Sequence, residues 1–331
     1  MPNIQDVAKR AKVSPMTVSR VINGSGYVRE ETRQRVLKAM KELHYVPNRL
    51  ARSLVVQETK TVALIVPDIT NPFFTLVARG TEDTARELGY HVILCNSDED
   101  PVKEREYVEM CISMRVDGII IAPSGDASKT NLQTIEEFQI PFVCVDREVP
   151  GIAADVICGD SYYGSYQLVR HLIELGHKYI AIVTNLRTST GRDRLKGYQD
   201  ALRDYGLTFS KEYLTECTYK SVSQQYLVDT WWDLSHPPTA VFAVSNFMAM
   251  EIYKGLARRG VRVPDDFAMV CFDDIISFPE EFFTTAKQPS YNIGSLAMQS
   301  LMDRLKGHAI DPRKMVLKPE IAIRRSSGRP R

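Results

Sequence analysis

The 331-residue chain lacks the short motifs that mark common catalytic and cofactor sites. No G-x-G-x-x-G follows a strand pattern, and neither G-x-x-x-x-G-K-[ST] nor G-x-S-x-G occurs, which argues against dinucleotide, P-loop and nucleophile-elbow sites. The six histidines form no H-E-x-x-H metal motif. We therefore expect no enzymatic activity, no cofactor and no metal.

Long apolar runs and paired cysteines are missing as well. No run is long enough to span a bilayer, and the first residues show no signal-peptide pattern, so we expect no membrane association and a cytoplasmic location. The six cysteines contain no C-x-x-C spacing, and most lie in apolar runs such as 142–145 and 270–272. This pattern predicts buried, reduced thiols.

The chain has little net charge, +1, but the charge is unevenly distributed. Residues 1–60 carry 12 Lys and Arg against 5 Asp and Glu, which gives +7, and the remainder carries 30 against 36, which gives −6. A basic head on an acidic body indicates that the head binds a polyanion and the body does not.

Residues 14–23, S-P-M-T-V-S-R-V-I-N, have the pattern of a short helix. Ser14 is a good N-cap, and Pro15 suits the first turn because its missing N–H has no partner there. Val18 and Val21 lie on one apolar stripe, which leaves polar and basic side chains on the opposite face. A face of this kind fits the major groove of DNA.

Two further helices flank this segment. Residues 3–12 predict a first helix, separated from the second by a tight turn, which is the helix-turn-helix arrangement. A third helix is predicted over residues 30–44. Its apolar positions are Val36, Leu37, Met40 and Leu43. Together the three helices can close a small core.

Four motifs in this order resemble the lactose-repressor (LacI/GalR) family of bacterial transcription regulators: D-V-A-K-R-A, V-S-P-M-T-V-S-R-V-I-N, T-R-Q-R-V and Y-V-P-N-R-L-A-R-S-L. Two residues depart from the family pattern. Lys12 stands in place of the usual turn glycine, which predicts a left-handed lysine at a cost on the order of 1 kcal/mol. Arg29 stands in place of the usual small cap, so the third helix has a weaker start.

The resemblance implies which head residues meet DNA. The base-facing positions are Pro15, Met16 and Arg20, of which Arg20 can bond a guanine bidentately. The phosphate-facing positions are Thr17, Ser19, Asn23, Tyr27 and Thr32.

The segment after the head resembles the hinge helix of the family. Asn48 can cap a helix from Arg49 to Val55 that is too short to be stable alone in water. By the resemblance, this helix orders on operator DNA against its dimer mate, and Leu54 wedges into the minor groove. The simpler alternative is that Leu50 and Leu54 pack on the body.

From Thr61 onward, short apolar runs alternate with amphipathic helical stretches in two successive series. This alternation predicts two α/β lobes whose parallel sheets are covered on both faces. Ligands in such folds bind outside the carboxyl ends of the strands, so two facing lobes form a ligand cleft. The predicted elements also include a helix over 221–234 and one closing strand over 315–323.

Polar and aromatic residues that follow the predicted strands are the candidates for this cleft. P-D-I-T-N-P-F-F, V-D-R, R-L-K-G-Y and F-D-D resemble ligand-contacting segments of the family. The candidate effector-binding residues are Asn71, Phe73, Phe74, Asp146, Thr190, Arg194, Tyr219, Ser245, Asn246 and Asp273. Arg194 offers donors and Asp273 an acceptor for hydroxyls, and the aromatic rings can stack on a sugar. The alternative for the carboxylates is helix capping or a solvated loop.

Two departures fall inside the predicted cleft. Ser245 and Asn246 stand in place of the usual Asn-Asp, which removes a carboxylate, and Cys271 stands in place of a glycine. These changes prevent the transfer of any particular sugar specificity from the family.

The expected architecture is an all-α helix-turn-helix head, joined by a hinge helix to an α/β body of two periplasmic-binding-protein-like lobes with parallel sheets. We expect the head at 1–46, the hinge at 47–60 and the body at 61–331. Lobe one would comprise 61–160 with 290–319, and lobe two 161–288 with 320–325.

The resemblance implies a dimeric, allosteric repressor that binds a pseudo-palindromic operator and a sugar-like effector. An alternative within the family is a catabolite-control-type regulator that responds to a protein partner. More distant alternatives are an α/β enzyme, which the missing motifs disfavour, and a transport binding protein, which the basic head disfavours.

Overall fold

The computed structural model describes residues 2–46, 58–218, 228–275, 282–308 and 311–330. The chain divides into two compact units, Met1–Thr59 and Lys60–Arg331. Each unit contains an apolar core of its own. Of the expected hinge at 47–60, only residues 58–60 are described.

The described part of the first unit, residues 2–46 and 58–59, contains three helices. They are α1 (Ile4–Ala11), α2 (Pro15–Asn23) and α3 (Glu30–Glu42). The side chains of Asn3 and Asp6 cap the start of α1 reciprocally, and the hydroxyl of Ser14 accepts the Thr17 N–H at the start of α2. Val7, Val18 and Val36 are fully buried and join the helices into one core.

Both departures in the head have the structural effect that the sequence predicts. Lys12 ends α1 in the left-handed conformation, with φ 54°. Arg29 makes no side-chain bond to the first turn of α3. One core prediction was wrong, because Leu37 is 44% exposed and Ala39 is buried instead. At 100° per residue, position 37 turns away from the face that Val36 and Ala39 share.

Lobe one of the second unit begins with alternating strands and helices. They are β1 (Thr61–Val66), α4 (Pro72–Glu87), β2 (His91–Asn96), α5 (Pro101–Ser113), β3 (Gly118–Ile121), α6 (Lys129–Glu137), β4 (Phe142–Val145) and β5 (Asp155–Gly159). The strands pair in parallel, with Val62 opposite Gly118 and Val92. Strand β5 was not predicted, although all five of its residues are buried.

Lobe two repeats this pattern. Its elements are α7 (Ser161–Glu174), β6 (Ile180–Thr184), α8 (Ser189–Asp204), β7 (Leu214–Glu216), β8 (Ala240–Ala243), α9 (Asn246–Arg258), β9 (Ala268–Phe272) and β10 (Thr284–Lys287). The strands β7 and β10 were not predicted. The first half of the helix predicted over 221–234, residues 221–227, lies outside the described residues, and Thr230–Asp233 form a 3-10 turn.

The chain then returns to both lobes. Helix α10 (Ser290–Leu305) covers the first sheet, β11 (Lys314–Leu317) joins that sheet beside β5, and β12 (Glu320–Ala322) joins the second sheet beside β10. The single strand predicted over 315–323 was therefore wrong. Pro319 separates the two strands, since proline has no N–H to donate to a ladder.

Over the described ranges of the body, each sheet has six strands, in the orders β11-β5-β4-β3-β1-β2 and β12-β10-β9-β8-β6-β7. All neighbours are parallel except β12, which runs antiparallel to β10. The chain passes between the lobes after β5, after β10 and after β11. The carboxyl ends of the central strands consequently face each other across one cleft.

The cysteines are in the state that the sequence predicts. All six cysteines are buried and unpaired: Cys95, Cys111, Cys144, Cys158, Cys217 and Cys271. Among the described residues, no helix has the length and apolar character needed to cross a membrane.

Candidate functional site

The exposed face of α2 carries the predicted base-facing residues. Pro15, Met16 and Arg20 are exposed, and Met16 is 66% accessible. Met16 and Arg20 lie on the arc of the helix opposite the buried Val18 and Val21, and Pro15 lies at the margin of that arc. Arg20 has no hydrogen bond or ion pair to any described residue, so its five donors are available to a ligand.

The predicted phosphate-facing residues differ in how free their side chains are. The Thr17 hydroxyl lies 3.0 Å from that of Ser14, and the Asn23 amide donates to the Ser19 hydroxyl at 3.2 Å. Thr32 accepts a long bond of 3.5 Å from Arg35, whereas Tyr27 is 87% exposed. Asn48, Arg49 and Leu54 lie outside the described residues, and their roles stay predictions.

The start of α8 carries two of the predicted cleft residues, Thr190 and Arg194. Thr188 caps this helix by accepting the Gly191 N–H at 3.1 Å. A Cβ on Gly191 would lie 1.8 Å from the carbonyl oxygen of Asn185, so only glycine permits this close turn. The turn places the side chains of Thr190 and Arg194 at the cleft.

Arg194 is buried and held on three sides. Its Nε donates to the Ser161 hydroxyl at 3.2 Å, and one Nη donates to the carbonyl oxygen of Val244. Its guanidinium lies 3.7 Å from the ring centroid of Phe272. These contacts fix the arginine before any ligand arrives.

Two buried carboxylates, Asp146 after β4 and Asp273 after β9, both lie in the field of Arg194. Both have left-handed backbones, with φ 63° and 66°. Burial raises the pKa of Asp273 to about 6, and the charge of Arg194 and the 2.8 Å bond from Gln288 oppose that rise. Burial also raises the pKa of Asp146. The fixed guanidinium of Arg194 thus lies near one carboxyl group from each lobe.

A cavity of about 60 Å³ occupies the cleft. Among the predicted residues, its walls include Asn71, Phe74, Thr190, Arg194 and Ser245. Asp146, Asn246 and Asp273 do not line this cavity directly. Phe73 packs in the core of lobe one against Phe74, with ring centroids 4.9 Å apart, so we leave it out of the site. Tyr219 lies outside the described residues.

Asp68 and Arg147 also line the cavity, and both belong to the segments P-D-I-T-N-P-F-F and V-D-R. Three further polar residues of the wall lie outside the predicted segments: Glu99, Asn185 and Thr188. Asn185 directly follows β6, so the rule that polar residues after strands form the cleft could have found it. Glu99 has a left-handed backbone and accepts a 2.6 Å bond from Arg147. Its position depends on a turn that the sequence pattern does not reveal.

A second cavity, of about 400 Å³, lies where the β4–β5 loop meets the first turn of α8. Glu148, Ile152 and Asp193 are among its walls, and none of the predicted site residues lines it. No group of three His, Cys, Asp or Glu side chains suited to a metal occurs in the described part of the chain.

The two lobes also contact each other directly around the cleft. Arg192 of lobe two donates to both carboxylate oxygens of Asp126 in lobe one, at 2.9 and 3.0 Å. The Ser189 hydroxyl accepts the Glu148 N–H at 3.0 Å. Elsewhere on the cleft, the Asn246 amide donates to the Asn71 side chain at 3.1 Å.

Comparison with known proteins identifies this combination of head and body. A family model for bacterial regulatory proteins of the lacI family matches residues 3–48, and a model for periplasmic binding proteins and the sugar binding domain of the LacI family matches residues 59–315. The chain belongs to the LacI family of bacterial regulatory proteins. Members of this family are DNA-binding transcriptional regulators, which argues against the enzyme alternative.

Individual LacI-family relatives match the chain from end to end. It is 34% identical to the HTH-type transcriptional regulator DegA of Bacillus subtilis and 34% identical to the HTH-type transcriptional repressor PurR of Photobacterium profundum, with 98% of each chain covered. Among solved structures, the transcriptional regulator CelR–cellobiose complex is 30% identical, with a TM-score of 0.72, and 98% of this chain and 100% of that chain are covered.

Proposed function

We propose that this LacI-family regulator is a repressor that binds a pseudo-palindromic operator as a homodimer and changes its operator affinity when a small molecule binds between its lobes. It would act in the cytoplasm on DNA of the bacterial nucleoid. The observation that supports this most is the prearranged Arg194, which lies near a carboxyl group from each lobe. The same chain exposes Arg20 on α2, and Arg20 has no partner among the described residues.

The lining of the cleft favours a neutral, hydroxyl-rich effector. Arg194 supplies fixed donors, the carboxylates of Asp68 and Glu99 on the cavity wall supply acceptors, and Phe74 supplies an aromatic ring. Hydroxyl groups both donate and accept, so a sugar or sugar derivative satisfies such a site from both sides. The similarity to the CelR–cellobiose complex supports this ligand class.

The dimer would form along the free edge of the first sheet, where β2 ends the strand order. Leu94 on this strand is 48% exposed, and Ile69 and Val102 beside its carboxyl end are also exposed. The Ile69 N–H donates to Asn96 at 2.8 Å, which places it against the same strand. An apolar sheet edge favours a second copy over solvent.

The first experiment is a thermal-shift screen of the full chain with sugars, sugar phosphates and nucleobases. A ligand of the folded cleft raises the melting temperature by mass action. Arg194→Ala should remove the shift and keep binding to an operator selected from random DNA. Loss of both activities would assign Arg194 a structural role. Absence of any shift in the wild-type chain would favour the protein-partner alternative.

A titration of the chain with effector, with and without operator, then shows whether the effector is an inducer or a corepressor. We expect the effector to weaken operator binding, and linkage requires the operator to weaken effector binding by the same factor. Calorimetry with and without operator measures this factor. Tighter effector binding to the operator complex would instead identify a corepressor.

A further inference from the structure

Asn246 lies at the first position of α9, and its side chain reaches across the cleft. Its Nδ2 donates to Asn71 Oδ1 in lobe one at 3.1 Å and to the carbonyl oxygen of Asp274 in lobe two at 3.1 Å. Its Oδ1 accepts the N–H of Phe247 at 2.7 Å. The side chain is 4% exposed and does not line the cavity. Both of its donors are therefore already used by protein acceptors.

The orientation of both amides follows from their neighbours. Asn71 Oδ1 also accepts the Phe73 N–H at 3.0 Å, so Asn71 must present its oxygen to Asn246. The Asp274 carbonyl can only accept, so Asn246 must present its nitrogen to both partners. A carboxylate at position 246 would place negative oxygens against two acceptors. The replacement of the family's usual aspartate by asparagine is what permits this contact.

Each end of the contact is firmly anchored in its own lobe. Asn71 caps α4, and α4 packs against α10. The Asp274 carboxylate accepts two bonds from Arg324, at 2.7 and 3.0 Å, which ties the loop after β9 to the chain beyond β12. A bond between two such fixed points resists separation of the lobes.

We propose that Asn246 is a cross-cleft latch, a positioning residue that holds the lobes closed through Asn71 and does not contact the effector. The latch follows from the geometry alone, and its link to regulation rests on the proposed function. Asn71 lines the cavity, and its Nδ2 donates to no acceptor among the described residues. An effector oxygen that accepts from this Nδ2 would fix the Asn71 amide in the orientation that the latch requires.

The test compares two substitutions that each add one carboxylate to the cleft. Asn246→Asp removes both donors without changing the shape of the side chain. Asn71→Asp keeps the oxygen that accepts from Asn246 and Phe73, and aspartate remains a good N-cap. Hydrogen–deuterium exchange of the full chain, without operator or effector, reports on residues 69–75 in lobe one and 246–250 in lobe two.

We expect Asn246→Asp to accelerate exchange over residues 69–75 by about fivefold, the equilibrium worth of one hydrogen bond. The substitution should not accelerate exchange over residues 246–250 by destabilising α9, because a carboxylate in the first turn stabilises a helix. Asn71→Asp should leave exchange over 69–75 close to that of the wild type. Asn246→Ala, which adds no charge, should reproduce the effect of Asn246→Asp.

Unchanged exchange over 69–75 in both Asn246 variants would overturn the latch. Equal acceleration by Asn71→Asp would do so too, since added charge would then explain the effect. Because the measurement uses neither DNA nor ligand, a failed latch leaves the repressor proposal intact, and an unsuccessful effector screen leaves the latch intact.

Discussion

Arg20 differs from the other exposed residues of α2 because it combines a fixed set of donors with the absence of a partner among the described residues. A bidentate arginine–guanine pair discriminates against a wrong base by about 1–3 kcal/mol. We expect Arg20→Ala to weaken operator binding by that amount and to relax preference at one base pair per half-site. Fluorescence anisotropy on the operator and its single-base variants measures both effects.

Lys38→Ala is the matched control for Arg20→Ala, since it removes one exposed charge from α3 in the same unit. Any change in affinity that it causes should be the same for all sequences, because a lost surface charge acts on DNA without reading bases. If Arg20→Ala also weakens all sequences equally, Arg20 contacts phosphate and the specificity must come from elsewhere.

Asp273 gives the cleft a predictable dependence on pH. The folded protein keeps this proton up to about pH 6, because burial raises the pKa of Asp273 from 3.8. The unfolded chain loses the proton near pH 4, so this group lowers the free energy of unfolding as pH rises from 4 to 6, and the loss persists above pH 6. The total effect is on the order of 1–3 kcal/mol.

Asp273→Asn should remove this contribution. The difference in unfolding free energy between variant and wild type, from urea titrations at pH 4 and pH 7, isolates Asp273 from the other titrating groups. A difference that does not change with pH would show that Asp273 titrates normally in the folded protein.

At the scale of elements, one buried carboxylate joins three parts of lobe one. Asp155 on β5 accepts from Arg304 and Ser300 on α10 and from the Arg313 N–H and side chain next to β11. Burial alone would raise the pKa of Asp155, but the bonds outweigh it and lower the pKa to about 2. The stabilisation is complete above the unfolded pKa near 4 and is lost as pH falls towards 2.

We expect Asp155→Asn to lower the free energy of unfolding by about 3 kcal/mol at pH 7, because two arginines lose their shared carboxylate. Urea denaturation measures this loss, which should shrink at pH 2–3, where the wild-type carboxylate begins to protonate. Lys314 and Glu148 form a more exposed pair at 2.6 Å, so Glu148→Gln is the control and should cost under about 1 kcal/mol. Equal losses in both variants would contradict this account.

The predictability of each element followed its apolar pattern. Runs such as 62–66 and 180–184 predicted their strands almost to the residue, since buried parallel strands are continuously apolar. Strand β7 has only three residues, and β10 reads T-T-A-K, so neither carries that pattern. Pairing within the sheet defines both strands, and a single sequence does not show that pairing.

The cleft was predictable to the extent that its residues follow strands. Asn71, Thr190, Arg194 and Ser245 come from strand ends or helix starts, and the structure brings them to one cavity. Phe74 lines the cavity and Phe73 does not, because two adjacent residues on a helix point in directions 100° apart. The contact between Asn246 and Asn71 could not be predicted, because the sequence does not show which amides meet across the lobes.

At the scale of the whole molecule, the proposed dimer interface is the free edge of the first sheet. We expect Leu94→Glu to convert the proposed dimer into a monomer, because it places a charge in the apolar contact. Sedimentation velocity measures the change. Operator affinity should fall steeply, since one head supplies only half of the contacts.

Phe138→Glu is the control for Leu94→Glu, since Phe138 is also exposed but lies at the end of α6, away from β2. It should leave the sedimentation coefficient unchanged. A Leu94→Glu chain that sediments like the wild type would move the interface to another surface.

The last crossing of the chain between the lobes also affects when each unit can fold during synthesis. The first sheet receives β11 and the second receives β12 only from the final segment of the sequence, on either side of Pro319. The core of the head, in contrast, uses residues from 4 to 45. Because synthesis proceeds from the N-terminus, the DNA-binding head can fold early on the ribosome, while both lobes of the body stay unfinished until translation is nearly complete. A prematurely terminated product would therefore keep a DNA-binding head without a ligand-binding body to control it.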